Sequence, residues 1–376
     1  MKTLAAVVYE MELPAPYAES RPIKIEELEL EVPKEGEILV ELTSAGLCHS
    51  DLSVLNGSRP RPMPMVLGHE AAGVVRELGP NVRDLKIDDH VIFTFCPTCG
   101  HCVPCATGRP VLCDCGQEAN AQGTLLSGER RFTNKDGKKM NHHCGVSCFS
   151  QFTVAARESV VKVDPALPMD KASLFGCAVI TGAGAVFNRA AVEPGSSVAV
   201  FGLGGVGLSA VMAAKAAGAT KIIAVDMLEH KFDLARKCGA THALNPADEN
   251  FLEEIRDLTG GGPQCAIEAV GSEVAQISAY NAICRGGTMV TVGLAHPEKN
   301  FSVPAVSLVA LEKAVLGCYM GSIVPSVDIP KYVEMYRAGL LPVDLLFSGF
   351  ITLEEINASF DALARGDVIR QIIQFS

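Results

Sequence analysis

The sequence predicts an α/β protein in which a doubly wound parallel sheet accompanies a second, β-rich region. From Ser197 to Asp226 a buried strand, a glycine-rich turn, an alanine-rich helix and a second apolar strand follow one another, as in a βαβ unit. Helix-like and strand-like runs then alternate onward, whereas residues 1 to 95 hold short strand-like runs separated by prolines and glycines. We therefore expect a β-rich domain from residues 1–178 and 323–376, and a nucleotide-binding domain from residues 179–322.

The turn after the first strand of this unit fits the pattern G-x-G-x-x-G. Gly202 permits the tight turn, Gly204 leaves room for backbone to approach a pyrophosphate, and Gly207 lets the helix pack closely on the strand. Gly205, in the same turn, is also expected to bind the cofactor. Free N–H groups at the helix N-terminus would hold the phosphates. Asp226, about 20 residues beyond the turn, would accept both adenine-ribose hydroxyls, which favours NAD over NADP. The alternative is an ordinary tight βα turn.

Length and charge exclude several classes of partner. The chain has 376 residues and a formal net charge of −11, which argues against nucleic acid and anionic membranes as partners. The apolar run before Glu10 is too short for a secretory signal, and no apolar run reaches the length of a membrane span. The default expectation is a cytoplasmic protein that acts on small molecules.

Cysteines are unusually frequent and clustered. Seven of the fourteen lie between Cys96 and Cys144, and a chain of this length without a signal sequence uses such thiols for metal rather than for disulfides. Four of them have the spacing C-x2-C-x2-C-x7-C: Cys99, Cys102, Cys105 and Cys113. Four thiolates leave no open position, so we expect a structural zinc in a lobe at residues 96–115, with an iron–sulfur centre as the alternative. Cys96, Cys115, Cys144 and Cys148 are expected to be packing or bystander thiols.

A second, three-ligand site is predicted from residues that lie far apart in the chain. Two thiolates and one imidazole, Cys48, His69 and Cys177, suit a catalytic zinc with an open fourth position. Asp51 would orient His69 through its other ring nitrogen, and Glu70 is either a neighbour of the ligands or an occasional ligand itself. Ordinary packed core side chains are the alternative for each of the three.

Two segments complete the sequence pattern. Residues 116–145, rich in Gly, Asn, Lys and Arg, are expected to form an exposed excursion. The tail is expected to hold helices at 330–338 and 353–365, with Pro330 at a first helical position, and a final strand at 369–375.

Together these motifs resemble those of the medium-chain zinc-dependent alcohol dehydrogenases over nearly the whole chain. The resemblance rests on Cys48-His-Ser-Asp51, Gly68-His69-Glu70, the four-cysteine lobe, Gly176-Cys177, the glycine turn with Asp226, and Ile369-Arg370. It implies a GroES-like catalytic domain beside a Rossmann domain, two zinc ions per subunit, NAD as cofactor, and a homodimer, with a tetramer possible. The segment from Cys113 to Cys148 is similar to the branch that contains liver enzymes and glutathione-dependent formaldehyde dehydrogenases.

The resemblance also implies roles for individual residues. Ser50 would hydrogen-bond the substrate hydroxyl and start the proton relay, next to His49, Asp51 and Glu70. The implied cofactor contacts are His49 and Arg370 at the pyrophosphate, Lys231 at the ribose, and Val206, Thr181 and Val292 near the nicotinamide; a helix N-cap is an equal interpretation of Thr181. The implied substrate pocket contains Phe95, Arg59 and Leu294.

The expected activity is reversible hydride transfer between NAD and a primary or secondary alcohol. Ser53 stands where some relatives have a relay histidine, so the proton would leave through the cofactor ribose and Ser53 or directly to water. A thiol-adduct formaldehyde dehydrogenase is the alternative within the family, although Arg59, Glu118 and Asn120 depart from the charge pattern for glutathione. A zinc-stabilised binding protein without turnover is the alternative outside the enzymes.

Overall fold

The structure, a computed structural model, describes residues 1–375. Its strands, in chain order, are β1 (Lys2–Val8), β2 (Ile23–Leu30), β3 (Glu37–Gly46), β4 (Met65–Val66), β5 (Ala71–Leu78), β6 (His90–Phe93), β7 (Phe132–Thr133), β8 (Asn141–His142), β9 (Phe152–Ala156), β10 (Val160–Val163), β11 (Ser197–Phe201), β12 (Lys221–Val225), β13 (His242–Leu244), β14 (Cys265–Glu268), β15 (Thr288–Thr291), β16 (Ala314–Gly317), β17 (Phe347–Ile351) and β18 (Arg370–Gln374). Its α-helices are α1 (Tyr17–Ser20), α2 (His49–Leu55), α3 (Val103–Ala106), α4 (Asp114–Gln122), α5 (Met169–Ala172), α6 (Ala178–Gly184), α7 (Gly205–Ala216), α8 (Phe232–Cys238), α9 (Phe251–Thr259), α10 (Glu273–Ala282), α11 (Ala305–Ala310), α12 (Pro325–Arg337) and α13 (Ile356–Arg365).

The chain divides into two compact units. The first contains Met1–Cys177, Val324–Pro330 and Phe347–Ser376, and the second contains Ala178–Ile323 and Lys331–Leu346. The expected division at 178/179 lies within a residue of this boundary. The expected return to the first domain from residue 323 onward differs, because Lys331–Leu346 groups with the second unit.

The second unit is built on a six-stranded parallel sheet in the order β13-β12-β11-β14-β15-β16. This is the order 3-2-1-4-5-6 of a doubly wound fold. All five residues of β11 are buried, because the strand pairs on both sides and helices cover both faces of such a sheet. The predicted α/β class is thereby confirmed.

The first unit is β-rich. One five-stranded sheet runs β7-β2-β1-β4-β8, and a seven-stranded sheet runs β10-β6-β5-β3-β18-β17 with β9 also paired to β3. A single cluster of buried apolar side chains joins Ile38, Val40 and Phe93 of the larger sheet to Phe149 and Phe360. The long strand β3 is central to that sheet, and its carboxyl end leads into the site described below.

The segment expected to be an exposed excursion is largely folded into the first unit, so that expectation is wrong. Leu125, Phe132 and Met140 are fully buried in a second apolar cluster. Arg131 is also buried, and its guanidinium forms two hydrogen bonds to the buried carboxylate of Glu37, at 2.8 and 2.9 Å. A buried ion pair of this kind is invisible in the composition, which is what made the segment look solvated.

The tail differs in one respect from the expectation. Pro330 lies inside α12, which begins at Pro325, and not at the first helical position. No single helix within residues 1–375 is both long and apolar enough to cross a membrane, although the bent pair 169–176 and 178–190 qualifies by combined length and composition. Most residues of that pair are buried.

Candidate metal centre and nucleotide-binding turn

Cys48 lies between the end of β3 and the start of α2. Its backbone is extended at the N-cap of that helix, so His49, Ser50 and Asp51 occupy the first helical turn. Asp51 is fully buried, Ser50 is half-buried and His49 is exposed. The short turn therefore directs a thiol, a hydroxyl and a carboxylate from adjacent positions into one region of the first unit.

His69 reaches the same region from the loop between β4 and β5. The preceding Gly68 has φ +93°, and a Cβ there would come within 2.4 Å of the backbone nitrogen of Phe149. Only glycine fits this close backbone approach. His69 itself is 1% exposed, so its ring is held inside the protein.

Cys177 completes the three-residue group predicted for a catalytic metal. The ligand atoms of Cys48, His69 and Cys177 lie within 4.8 Å of one another, and the two sulfurs are 3.9 Å apart. Tetrahedral zinc with Zn–S bonds of about 2.3 Å sets its sulfurs roughly 3.8 Å apart. The buried Nε2 atom of His69 has no hydrogen-bond partner within residues 1–375. The donor set, its spacing and this orphaned nitrogen fit a zinc ion.

Asp51 orients the imidazole of this group. Its Oδ1 atom lies 3.0 Å from Nδ1 of His69, which leaves Nε2 to face the thiols. Burial opposes the ionisation of Asp51, but the neighbouring His69 and His143 imidazoles hold its pKa below the ordinary value. His143 is a contact that we did not expect: its Nδ1 atom lies 3.1 Å from the same carboxylate oxygen.

The pKa values of the two thiols in the group are shifted in opposite directions. A hydrogen bond from Cys177 lowers the pKa of Cys48 well below its ordinary value, and the same bond raises the pKa of Cys177. Arg370 adds to the first effect, since its guanidinium donates to Cys48 Sγ at 3.5 Å. These neighbours favour the thiolate form of Cys48, which is the form that binds a divalent metal.

Arg370, which was expected to contact the cofactor pyrophosphate, is buried beside a carboxylate. It is 2% exposed, and its Nε atom lies 3.4 Å from the buried Glu70 Oε1. Burial would lower the pKa of Arg370, but Cys48 and Glu70 raise it. The structure thus places both Arg370 and Glu70 beside the thiols; the expected contact of Arg370 with a cofactor pyrophosphate remains a prediction.

The four-cysteine lobe also forms a closed group. The sulfurs of Cys99, Cys102, Cys105 and Cys113 lie within 4.8 Å of one another. Backbone N–H groups donate to them: Cys102 N to Cys99 Sγ at 3.3 Å, and Cys99 N and Gly116 N to Cys113 Sγ at 3.2 and 3.3 Å. Such donors stabilise thiolates around a structural metal. His101 is exposed, and its Nδ1 atom lies 2.8 Å from the carbonyl of Cys99.

In the second unit, the glycine turn joins β11 to α7 as predicted. Gly202 has φ +93°, and a Cβ on Gly207 would lie 1.7 Å from the Gly202 carbonyl oxygen, so both glycines are required by the chain itself. Gly204, the N-cap of α7, is different: a Cβ there would meet nothing within 4 Å among residues 1–375. Open space beside free helix N–H groups fits a phosphate.

Asp226 lies at the end of β12 and supports this turn. Its Oδ2 atom accepts the N–H of Leu203 at 2.7 Å, and its Oδ1 atom accepts the N–H of Leu228 at 2.9 Å. Lys231 Nζ is 3.7 Å from the same carboxylate. Each carboxylate oxygen retains a lone pair for a further donor, such as a ribose hydroxyl.

The remaining predicted residues are distributed over both units. In the first unit, Phe95 meets the His69 ring edge-on, with ring centroids 5.3 Å apart, and Arg59 lies in the loop after α2. In the second unit, Thr181 is the fourth residue of α6, so the N-cap interpretation is wrong. Val206 is in the first turn of α7, and Val292 and Leu294 follow β15, with Leu294 53% exposed.

Sequence reasoning missed one buried acid near the carboxyl ends of the parallel strands. Glu268, at the end of β14, is fully buried. Its Oε1 atom accepts the N–H groups of Val270 and Gly271, and its Oε2 atom accepts the Thr291 hydroxyl. It therefore ties together the ends of β14 and β15, where ligands bind in open α/β sheets. A charged residue ending an apolar strand is the signal that could have found it.

The chain is similar to known zinc dehydrogenases along its whole length. The sequence profile described as "Zinc-binding dehydrogenase" matches residues 205–338, and "Alcohol dehydrogenase GroES-like domain" matches residues 34–165. An NDMA-dependent alcohol dehydrogenase from Amycolatopsis methanolica is 40% identical over 380 residues, covering 100% of both chains. An "alcohol dehydrogenase zinc-binding domain protein" from Burkholderia ambifaria has a TM-score of 0.94 at 36% identity, covering 100% of this chain and 99% of that one. Benzyl alcohol dehydrogenase from Acinetobacter calcoaceticus has a TM-score of 0.90 at 32% identity, covering 100% of both.

Proposed function

The chain belongs to the medium-chain zinc-dependent alcohol dehydrogenase family, and from this premise we propose that it transfers hydride reversibly between an alcohol and NAD at a catalytic zinc. The observation that carries the proposal is the buried group of Cys48, His69 and Cys177, with sulfurs 3.9 Å apart and the His69 Nε2 atom left without a protein partner among the described residues. Those three residues would hold the ion, and the four-cysteine lobe would hold a second, structural one.

A bound zinc ion would act as a Lewis acid that lowers the pKa of a substrate hydroxyl in one direction and polarises the carbonyl in the other. The residues of the chain then have three tasks. Asp51 keeps His69 in the orientation that presents Nε2. Ser50, whose hydroxyl lies 3.8 Å from Cys48 Sγ, would accept the proton that the substrate hydroxyl releases while it passes its own hydroxyl proton on toward solvent. Glu70 and Arg370 complete the charged surroundings of the thiols.

The proton leaves from Ser50 toward solvent on the exposed side of α2. His49 is exposed there, and the Ser53 hydroxyl, which donates to the His49 carbonyl at 2.8 Å, still has acceptor capacity. Some relatives have a relay histidine where this chain has Ser53, and the route toward solvent would take the place of that relay. Phe95, Arg59 and Leu294 are the proposed substrate-pocket residues.

NAD supplies the hydride acceptor and is proposed to bind at the glycine turn of the second unit. Gly204 leaves the space for its pyrophosphate, and Asp226 accepts ribose hydroxyls. A 2′-phosphate would meet the Asp226 carboxylate, which favours NAD over NADP. Further contacts are proposed from Lys231, Thr181, Val206 and Val292, and from His49 and Arg370.

A second candidate is an alcohol dehydrogenase whose activity depends on NDMA. The observation that favours it is the relative at 40% identity, which carries that dependence in its name. Assaying an alcohol panel that includes benzyl alcohol, with NAD⁺ alone and with NDMA added, separates the two. Formaldehyde with and without glutathione tests the thiol-adduct alternative in the same series.

The test of the metal assignment is Cys48→Ser. We expect it to abolish alcohol oxidation and to remove the catalytic zinc, while NADH binding, followed by fluorescence, and the zinc of the four-cysteine lobe are retained. Cys284→Ser, which alters a half-buried thiol outside both groups, is the matched control. Wild-type turnover in Cys48→Ser would remove the metal from the mechanism.

A further inference from the structure

A second imidazole contacts the carboxylate that orients the metal ligand. Asp51 is fully buried, and its Oδ1 atom lies 3.0 Å from His69 Nδ1 and 3.1 Å from His143 Nδ1. The same oxygen accepts the N–H of Gly68 at 3.3 Å. The two rings are edge-on to each other, with centroids 5.5 Å apart. His143 Nδ1 therefore contacts the orienting carboxylate by close approach, without forming an aligned hydrogen bond among residues 1–375.

The backbone around His143 is held firmly in place. The N–H of His143 donates to Ser147 Oγ at 2.9 Å, and that hydroxyl donates to the carbonyl of Val66 at 2.8 Å. Cys144 and Ser147, neither of them glycine, have φ angles of 54° and 52°. Non-glycine residues persist in this region only where their surroundings over-determine the conformation. The loop is thus built to present the His143 ring at a fixed point.

We propose that His143 is a positioning residue for the catalytic metal, acting through Asp51 and His69. Asp51 Oδ1 already meets His69 and the N–H of Gly68, and the His143 ring against the same oxygen adds a third contact that further restricts rotation about the Cβ–Cγ bond. The plane of the carboxylate sets the tilt of the His69 ring and hence the direction of its Nε2 lone pair. Loss of an outer partner of this kind typically weakens metal affinity by about 10- to 100-fold.

The inference rests on the proposed function only for the identity of the metal group. His143→Ala removes the outer contact, and His143→Gln keeps a polar side chain with an amide donor at this position. His142→Gln is the matched control, because His142 is the adjacent buried histidine and its Nε2 atom instead accepts the N–H of Arg131. All variants are studied as full-length, zinc-loaded protein.

Three measurements are made: zinc release to a chelator, the visible spectrum after cobalt replaces the catalytic zinc, and kcat with KM. For His143→Ala we expect catalytic-site metal affinity about 10- to 100-fold weaker and an altered cobalt spectrum. His143→Gln should recover most of both, and His142→Gln should match the wild type. Wild-type affinity and spectrum in both His143 variants would overturn the inference while leaving the proposed function intact. A wild-type protein without metal at Cys48 would instead remove the proposed function.

Discussion

The Asp226 carboxylate has a structural role and a proposed role in cofactor selection. It braces the glycine turn through the N–H of Leu203, and it is proposed to select the cofactor by its charge. The following Met227 is 70% exposed and carries no charge that would offset a phosphate. Substitutions at Asp226 that differ in charge therefore test the proposed selection of the cofactor.

We expect Asp226→Arg to move the kcat/KM ratio of the two cofactors toward NADP, by at least about 10-fold, because a cation replaces an anion at the 2′ position. Asp226→Asn, which keeps the side-chain size and one of the two acceptor oxygens, should weaken NAD preference without creating a preference for NADP. Steady-state kinetics with NAD⁺ and NADP⁺ measure both. An unchanged ratio in Asp226→Arg would mean that Asp226 does not face the ribose.

The pKa of the buried His142 makes the free energy of unfolding depend on pH. Burial, together with the nearby Arg130 and Arg131, lowers the pKa of His142 from 6.5 to about 3. Because the folded pKa is below the unfolded one, the unfolded chain binds the extra proton between these values. The stabilisation is therefore complete above pH 6.5 and is lost as the pH falls toward 3.

We expect the free energy of unfolding of the wild type to fall faster in acid than that of His142→Gln, by up to about 1.4 kcal/mol per pH unit between pH 6 and pH 4. Denaturant unfolding at a series of pH values measures the difference, in which the other acid-sensitive groups cancel. Parallel pH profiles for the two proteins would contradict the prediction.

Residues of the site differ in how well their positions can be predicted from the sequence. Cys48 and Asp51 share one helical turn, so their proximity follows from the local sequence. The convergence of Cys177, and the second imidazole of His143, depend on how separate strands and loops pack, which spacing does not encode. Arg370 shows the same limit: its place in the chain was recognised, but its burial against Cys48 and Glu70 follows only from the folded sheet.

At the scale of elements, the sequence predicts most accurately those elements whose residues are contiguous in the chain. The β11–turn–α7 unit was predicted because its glycines and apolar runs are contiguous. The segment around Arg131 was misjudged because its burial depends on Glu37, which is distant in the chain. The pairing order of the β-rich sheets is non-local in the same sense, since β3 lies between β5 and β18.

Between residues 98 and 109 the four-cysteine lobe has no core of its own. From residue 98 to residue 109 no residue is buried, and its regular structure there is the single-turn helix α3. Such a segment is ordered by its metal rather than by apolar packing. Cys115 lies beside this lobe, near Cys99, and is spare in the four-thiolate arrangement.

We expect Cys105→Ser to reduce the zinc content by about one ion per subunit, because tetrahedral structural sites need all four ligands. The lobe should become sensitive to limited proteolysis, and Tm should fall. Cys115→Ser, the matched control, should retain its zinc and its protease resistance. Full zinc content in Cys105→Ser, or its loss in Cys115→Ser, would show that the ligand set is different.

At the scale of the whole molecule, one edge of the parallel sheet is suited to pairing with a second copy. The strand β16 pairs only with β15 among residues 1–375, and no strand covers its other side, where the Gly317 carbonyl accepts a hydrogen bond from Arg189 Nε at 2.8 Å. Next to it in the chain, every residue of α11 is at least partly exposed, including Val306 at 72% and Val309 at 82%. An open edge strand beside exposed apolar side chains is a liability unless it is covered.

We propose that the chain forms a homodimer through β16 and α11, because a two-fold axis lets the same edge pair with itself. Light scattering after gel filtration should give twice the 39.7 kDa subunit mass. Val309→Lys should shift the protein toward the monomer by burying a charge at the interface, whereas Val274→Lys, at a site 70% exposed in α10, should leave the dimer unchanged. A monomeric wild type, or a dimer that tolerates lysine at both Val306 and Val309, would place the interface elsewhere or remove it.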